Sequence, residues 1–222
     1  MTGLPRNQKK TLPLVQYDIQ CDTRSTRYPL FNEIMVTLMS VAEQALLELT
    51  TPACDKGIGK VILTTDSKDL ISGVRIQPHS IWPDDRGYFL EVARMGLGLV
   101  TEFPKDTTQI SAALSYPGTI KAFHFHRHQT DCWVPVQGML QVALVDLRKH
   151  SPTFGVRNTL YLGALRPWQL LIPPGVAHGY KVVGRDPAFL VYITDRFYDP
   201  QDEGRIPYND SQIQYDWETQ HK

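Results

Sequence analysis

Residues 118–138 read GTIKAFHFHRHQTDCWVPVQG, a run in which apolar and β-prone residues surround two histidines and an aspartate. His124 and His126 stand two positions apart, and Asp131 follows them. Alternate side chains of a β-strand point to the same face, so both imidazoles face whatever the sheet encloses. A third imidazole, His178, comes after a Pro-Pro-Gly turn. The spacing predicts a pocket of three histidines and one aspartate.

The rest of the chain beyond residue 60 has the pattern of an all-β domain. Short β-type runs alternate there with Gly, Pro and Asp, and no internal repeat is visible. Even spacing of such runs is typical of an antiparallel sandwich or barrel rather than an α/β fold. The predicted strands are 61–65, 73–77, 88–93, 109–114, 119–125, 132–136, 139–147, 158–163, 168–172, 180–183 and 188–194.

The ends of the chain have different patterns. Apolar residues recur at three and four positions over about 30–49, which predicts a helix with Asn32 as its N-cap and Pro52 beyond its end. That helix is apolar on two sides, so it packs either on its own domain or on a neighbouring subunit. Residues 1–28 are expected to be extended or poorly ordered. From Tyr198 onward we expect a loop or arm that closes over the barrel.

Composition limits the classes of function. The 222 residues contain 23 Lys and Arg against 23 Asp and Glu, with no long run of like charge. Such a balance argues against a nucleic-acid or membrane partner, and favours a small molecule or a second copy of the chain. Three widely spaced cysteines fit a reducing compartment, and no signal peptide or membrane span is evident. We therefore predict a cytoplasmic protein.

The histidine run resembles a known motif. Its spacing is similar to the first cupin motif, with Asp131 where glutamate is usual, and residues 173–178 are similar to the second motif, with Val182 where that motif closes on Asn. The resemblance implies an all-β cupin double-stranded β-helix, or jelly roll. The helix predicted at about 30–49 lies outside the resemblance and makes an N-terminal helical extension to that domain. The positions that match the first motif are Gly118, His124, His126, Asp131 and Gly138.

A narrower resemblance covers about two thirds of the chain, from Leu70 to Trp217. It is similar to the dTDP-4-dehydrorhamnose 3,5-epimerase family, and DLRKHSPTFG at 146–155 is its most specific piece. It implies a jelly-roll domain over 66–222, preceded by an extension over 1–65, and usually a homodimer that binds a nucleotide-linked 4-keto-6-deoxy sugar. The other matching segments are 85–91, 172–180 and 209–210.

The resemblance also implies roles for single residues. In that family a histidine removes a proton next to a ketone, and a tyrosine returns one from the opposite face of the sugar, without a cofactor. His124 matches the base and Tyr192 matches the acid. Lys121 stands where the family has an arginine that contacts the nucleotide. The substrate-binding positions implied are Arg86, Glu91, Gln109, Lys121 and His178.

Two departures from the family pattern concern charge. The family lysine that stabilises the enolate is absent, and Asp131 takes the aligned place, where a carboxylate repels an enolate. The family also orients its histidine with an aspartate from a C-terminal segment, and this chain stops at Lys222 before that partner.

Two alternatives to the epimerase therefore stay open. A divalent metal (Fe, Mn, Ni or Zn) held by His124, His126, Asp131 and His178 would supply the missing positive charge, as in a metal-dependent cupin enzyme. A histidine that ligates metal cannot also be the base. The third hypothesis is a non-catalytic cupin that binds a sugar nucleotide.

Overall fold

The computed structural model of this protein describes residues 47–220. Those residues form thirteen β-strands and one short 3-10 turn, Gly98–Val100. The strands are β1 (Lys60–Val61), β2 (Arg75–Pro78), β3 (Ile81–Asp84), β4 (Gly87–Leu90), β5 (Gln109–Ser115), β6 (Ile120–His126), β7 (Asp131–Gln137), β8 (Met139–Asp146), β9 (Arg157–Gly163), β10 (Trp168–Ile172), β11 (Val176–Val183), β12 (Ala188–Thr194) and β13 (Glu203–Arg205).

Two sheets face each other as the layers of a jelly roll. A six-stranded sheet has the order β1-β9-β8-β11-β6-β13, and a five-stranded sheet has the order β2-β10-β7-β12-β5. All of the pairings within them are antiparallel except that of β1 with β9. Strands β3 and β4 form a separate hairpin. The all-β jelly-roll prediction is confirmed.

Every predicted run overlaps a strand, but two strands lie outside those runs. Strand β3 contains Pro83 and ends on Asp84, and β13 is only Glu203-Gly204-Arg205. Neither segment has the alternation of apolar and polar residues that predicts a strand. They are strands because β3 pairs with β4 and β13 pairs with β6, and not because of their composition.

Apolar side chains fill most of the space between the two sheets. The main buried cluster draws on both layers and contains Leu140, Leu144, Leu160 and Leu170, each with no exposed surface. Side chains of β8 are buried on both faces, because the C-terminal segment covers the outer face of the six-stranded sheet. This core occupies one part of the interior and leaves the other for polar side chains.

The segment after Tyr198 packs differently from the predicted arm over the barrel. Its β13 becomes the edge strand of the six-stranded sheet. Tyr215 and Trp217 then lie on the outer face of that sheet, against Phe123, with ring centroids 6.0 and 5.5 Å from the Phe123 ring. The segment therefore completes the fold and contributes one wall of the interior space.

The DLRKHSPTFG run has a structural role. The buried carboxylate of Asp146, at the end of β8, accepts hydrogen bonds from Arg148 Nε (2.8 Å), Ser151 Oγ (2.6 Å) and Thr153 Oγ1 (2.6 Å). Burial raises the pKa of Asp146, but these donors outweigh it and lower the pKa overall. The run therefore holds the β8–β9 connection and does not reach the site described below.

The predicted C-terminal end of the helix over about 30–49 is wrong. Most of 30–49, and all of 1–28, lie outside the described residues, but Leu47 to Leu49 are described and are not helical. Leu49 forms an antiparallel bridge with Arg148, and the Lys149 amide donates to the Glu48 carbonyl at 3.0 Å. The backbone groups of these residues pair with Arg148 and Lys149, and not with one another as they would in a helix. The division of the chain at residue 65 stays a prediction.

Residues 47–220 include no helix with the length and apolarity that crossing a bilayer requires.

Candidate functional site

A cavity of about 560 Å³ opens between the two sheets, beside the apolar core. Both sheets supply its walls, and β13 lines one side of it. Its lining combines imidazoles, aromatic rings and a few charged groups, as expected of a small-molecule site. The lining residues used below are Gln109, Lys121, His124, His126, Gln129, Asp131, Trp133, Tyr180, Tyr192, Tyr198, Glu203 and Arg205.

Three histidines of the six-stranded sheet cluster beside this cavity, and two of them, His124 and His126, line it. His124 and His126 lie on β6, and His178 on β11 pairs directly with His124. The His124 and His178 rings lie 4.1 Å apart between centroids. The next residue on β11, Gly179, has no room for a side chain, because a Cβ there would overlap Ala122. That glycine lets β6 and β11 approach closely enough to bring the imidazoles together.

Asp131 enters from the opposite sheet, at the start of β7. Its buried carboxylate accepts hydrogen bonds from Gln129 Nε2 at 2.7 Å and from Trp133 Nε1 at 3.2 Å. Burial would raise the pKa of this carboxyl, but His178, His126 and His124 outweigh that effect and hold the pKa well below its usual range. The site thus carries a fixed negative charge.

The predicted group of three histidines and one aspartate forms in space. His124, His126, Asp131 and His178 each offer one nitrogen or oxygen atom, and these four atoms lie within 4.8 Å of one another. Three of the four side chains are buried, and that of His124 is partly exposed to the cavity. The spacing in sequence therefore located this cluster correctly.

His178 is oriented by its backbone. Its Nδ1 lies 2.8 Å from the Val176 carbonyl oxygen, which can only accept, so Nδ1 carries the hydrogen. The other nitrogen, Nε2, faces Asp131 Oδ2 at 3.5 Å and has no hydrogen-bond partner among residues 47–220. Without a proton on Nε2, two lone pairs would face each other, so only a proton or a cation makes that contact favourable.

The surroundings of His124 favour its neutral form. Burial lowers the pKa of its imidazole well below the ordinary value, and the nearby His178 lowers it further, with Asp131 opposing. Burial also lowers the pKa of His126, against the attraction of Asp131. A neutral imidazole at neutral pH can accept a proton, which is the property that a general base needs.

A second buried carboxylate supports the β6–β7 turn. Asp202, which precedes β13, accepts hydrogen bonds from the amides of Arg127, His128 and Gln129 at 3.1, 2.8 and 3.0 Å. Its Oδ2 also lies 3.6 Å from His126 Nδ1. Asp202 therefore fixes the turn that carries both His126 and Gln129.

Three further predicted residues line the cavity. Tyr192 on β12 belongs to the five-stranded sheet and so lies on the wall opposite β6. Gln109 on β5 accepts a hydrogen bond from the Tyr198 amide at 3.1 Å through Oε1. Lys121 on β6 holds its ammonium 6.0 Å from the centre of the Tyr180 ring. The roles of these side chains remain predictions.

Arg86 and Glu91 do not line this cavity. Arg86 lies in the turn of the β3–β4 hairpin, exposed, and its guanidinium pairs with Asp84. Glu91 follows β4 and pairs with Arg94 at 2.8 Å. Within residues 47–220 of one chain, the hairpin and the histidine cluster are therefore separate.

Several lining residues were missed by sequence reasoning. Glu203 and Arg205 come from β13, whose three residues have no strand pattern. Tyr180 reaches the cavity from β11 and its hydroxyl hydrogen-bonds with Ser115 Oγ at 2.9 Å. Its place two residues after His178 on the same strand was the signal for it, since both side chains share one face.

Comparison with known proteins gives a consistent result. A family model described as dTDP-4-dehydrorhamnose 3,5-epimerase matches residues 68–222. The spore coat polysaccharide biosynthesis protein SpsL of Bacillus subtilis is 43% identical over 153 residues, 68% of this chain and 99% of that protein. The dTDP-4-dehydrorhamnose 3,5-epimerase of Shigella flexneri is 33% identical over 161 residues, 69% of this chain and 86% of that one.

Solved structures agree with the sequence comparisons. The dTDP-4-dehydrorhamnose 3,5-epimerase of Bacillus anthracis, solved with TDP and PPi bound, has a TM-score of 0.59 and 26% identity, covering 70% of this chain and 90% of that one. A dTDP-6-deoxy-D-glucose-3,5-epimerase of Legionella pneumophila, solved with dTDP-4-keto-L-rhamnose, also has a TM-score of 0.59 and 26% identity, covering 72% and 84%.

We expect His124 to titrate well below the ordinary imidazole pKa of 6.5. In 15N-histidine NMR spectra its ring nitrogens should stay in the neutral form from pH 8 down to pH 6.5 and change only below that. The same signal in urea-unfolded protein, where the pKa is about 6.5, is the control. Because the unfolded chain then binds the proton more tightly, the free energy of unfolding should fall as the pH drops below 6.5. A His124 midpoint at or above 6.5, with assignment from His124→Gln, would contradict this assignment.

Proposed function

Because the chain belongs to the dTDP-4-dehydrorhamnose 3,5-epimerase family, we propose that it epimerises a nucleotide-linked 4-keto-6-deoxy sugar through an enolate. One observation carries the proposal. His124 and Tyr192 line the same cavity from opposite sheets, so a sugar bound between them meets a base on one face and an acid on the other. Removal of a proton from one face and its return to the other inverts the carbon.

The chemistry that we propose needs no cofactor. The ketone at C4 makes the protons on C3 and C5 acidic, and the neutral His124 accepts one of them. The electron pair moves onto the C4 oxygen, and Tyr192 then donates a proton to the same carbon from the other wall. Trp133 and Tyr180 offer aromatic surface against which the sugar ring can lie.

We expect His124→Ala and Tyr192→Phe to lose function in distinguishable ways. With a dTDP-4-keto-6-deoxy sugar in deuterated water, the wild type should exchange C3 or C5 protons for deuterium, detected by NMR and mass spectrometry. His124→Ala should lower that exchange at least about 10²-fold, since the base is gone. Tyr192→Phe should still allow deuterium into the starting isomer while the epimer fails to form.

His128→Ala is the matched control, because His128 lies in the β6–β7 turn and does not line the cavity. Exchange that survives unchanged in His124→Ala would contradict the assignment of the base. If the wild type binds the nucleotide sugar but exchanges no proton, the protein is instead a non-catalytic sugar-nucleotide-binding cupin.

As a second candidate, we propose that the histidine cluster binds a divalent metal. The observation that favours it is the Nε2 atom of His178, which is buried, has no hydrogen-bond partner among residues 47–220 and lies 3.5 Å from Asp131 Oδ2. Donor atoms about 2.1 Å from one ion lie at most about 4.2 Å apart, so the 4.8 Å spread needs only small side-chain movements. The Nδ1–H of His178, held by a backbone carbonyl, is the usual support of a metal-ligating imidazole.

Such an ion would be held by His126, Asp131 and His178, with His124 as a fourth ligand. Fe, Mn, Ni or Zn fit a set of imidazoles and one carboxylate. A bound ion supplies Lewis-acid stabilisation of the C4 oxygen, the charge that the family lysine would otherwise provide.

Elemental mass spectrometry separates the two candidates. On the metal hypothesis, purified protein should contain close to one ion per chain, and Asp131→Asn and His126→Ala should lose it. Chelator should then lower the melting temperature of the wild type and leave that of His126→Ala unchanged. Protein without metal, and whose melting temperature is unaffected by added Fe, Mn, Ni or Zn, would rule the metal site out and return His124 to the base role alone.

We also propose a homodimer in which each hairpin serves its partner. The edge strand β5 exposes Ile110 (64%) and Leu114 (52%), and the β3–β4 hairpin exposes Phe89 (66%). Exposed apolar side chains on an unpaired strand edge favour association with another chain. Arg86, which matches a substrate-binding position of the family but does not line its own cavity, would then reach the cavity of the second copy.

Complementation tests this arrangement. Arg86→Ala and His124→Ala should each be inactive as pure proteins. Refolded together at equal amounts, they should recover roughly a quarter of the wild-type activity, because half of the dimers are mixed and each mixed dimer has one intact site. Light scattering should give twice the 25.3 kDa chain mass. A monomer, or mixtures as inactive as the separate variants, would contradict the proposal.

A cytoplasmic location is part of this proposal. Cys54 and Cys132 are both free thiols, which fits a reducing compartment.

A further inference from the structure

Strand β13 brings an arginine to the cavity that no family motif predicts. The strand pairs with β6 so that Glu203 lies opposite His126, and Arg205 lies opposite His124. Because alternate residues share a face, Glu203 and Arg205 lie on the face that carries the two imidazoles. Both of these β13 side chains line the cavity.

The backbone pairing places Arg205 close to His124. Phe123 and Ile206 exchange both backbone hydrogen bonds, at 2.7 and 3.0 Å. The neighbouring pair, His124 and Arg205, is therefore a non-hydrogen-bonded pair, in which directly opposite side chains lie closest together. Arg205 is thus a cross-strand neighbour of the proposed base.

Two contacts hold β13 in this register. Gly204 lies over the ring of Phe125, where a Cβ would overlap the ring, so only glycine permits the close pairing. Immediately before the strand, Asp202 accepts hydrogen bonds from three consecutive amides of the β6–β7 turn. The position of the Arg205 backbone is therefore fixed by packing on one side and by hydrogen bonds on the other.

The guanidinium of Arg205 keeps N–H donors that residues 47–220 do not use. Its Nε donates to Glu203 Oε1, and its terminal nitrogens make no hydrogen bond within residues 47–220. The side chain is 79% exposed, which places the guanidinium at the mouth and not beside the buried Asp131. Among the described residues, Lys121 is the only other Lys or Arg that lines the cavity.

We propose that Arg205 binds the diphosphate of the nucleotide-linked sugar, a role that rests on the proposed function. A planar guanidinium donates two parallel hydrogen bonds to phosphate oxygens, which suits it to this group better than to a single enolate oxygen. Lys121 comes three residues before His124 on β6, and Arg205 pairs with His124 across the strand. The two cations therefore hold the diphosphate beside the base while the sugar extends inward towards Tyr192.

The test is calorimetric titration of the full chain with thymidine diphosphate and with thymidine, which lacks the phosphates. Arg205→Gln should weaken thymidine diphosphate binding about 10- to 100-fold and leave thymidine binding unchanged. Arg205→Lys, which keeps the charge but loses the planar fork, should fall in between. In turnover with the nucleotide sugar, Arg205→Gln should raise KM and leave kcat nearly unchanged.

Arg185→Gln is the matched control, because Arg185 lies in the turn between β11 and β12 and does not line the cavity. It should bind thymidine diphosphate as the wild type does. Wild-type binding that is unaltered in Arg205→Gln would overturn the role of Arg205 alone. A wild type that binds no nucleoside diphosphate would overturn the proposed function and this role with it. Melting temperatures of both variants confirm that each is folded.

Discussion

The buried negative charge of Asp131 is the constraint on which the site depends. A carboxylate between two sheets is costly unless donors surround it, and here Gln129 and Trp133 supply two hydrogen bonds. A proton taken up by a neighbouring imidazole adds to this stabilisation, and the Val176 carbonyl turns His178 Nε2 towards the carboxylate. The same charge opposes an enolate, so an epimerase built on this site needs positive charge from another source than the family lysine. The proposed sources inside the cavity are a proton on the cluster and a divalent metal.

Much of the fold was readable from the sequence because its strands alternate regularly and its turns carry Gly and Pro. The common face of His124 and His126 followed from the same rule, since residues two apart on a strand share a face. The addition of His178 to the cluster was predictable because residues 173–178 are similar to the second cupin motif. The N-cap and apolar stripe of the predicted helix, by contrast, did not determine where Leu47 to Leu49 pair.

What the sequence could not reveal depends on contacts between distant segments. Strand β13 is three residues long with a central glycine, and by itself it has no reason to be extended. It forms because Gly204 fits over Phe125 and because Asp202 satisfies the amides of the β6–β7 turn. Arg205 therefore reaches the cavity through tertiary pairing, and no local pattern would have placed it there. Arg86 is the converse case, since its motif was recognisable but its position outside the cavity was not.

The charges in this cavity are arranged differently from those of a site with one cation at its centre. The centre holds a carboxylate and imidazoles, of which His124 and His126 are kept neutral chiefly by burial, and the cations Lys121 and Arg205 belong to β6 and its edge partner β13. Cations at a solvent-exposed mouth interact weakly with a buried oxyanion but strongly with a diphosphate that lies between them. Such a site separates the two tasks of a nucleotide-sugar enzyme. On the proposals above, the mouth would hold the charged nucleotide and the interior would supply the neutral base His124.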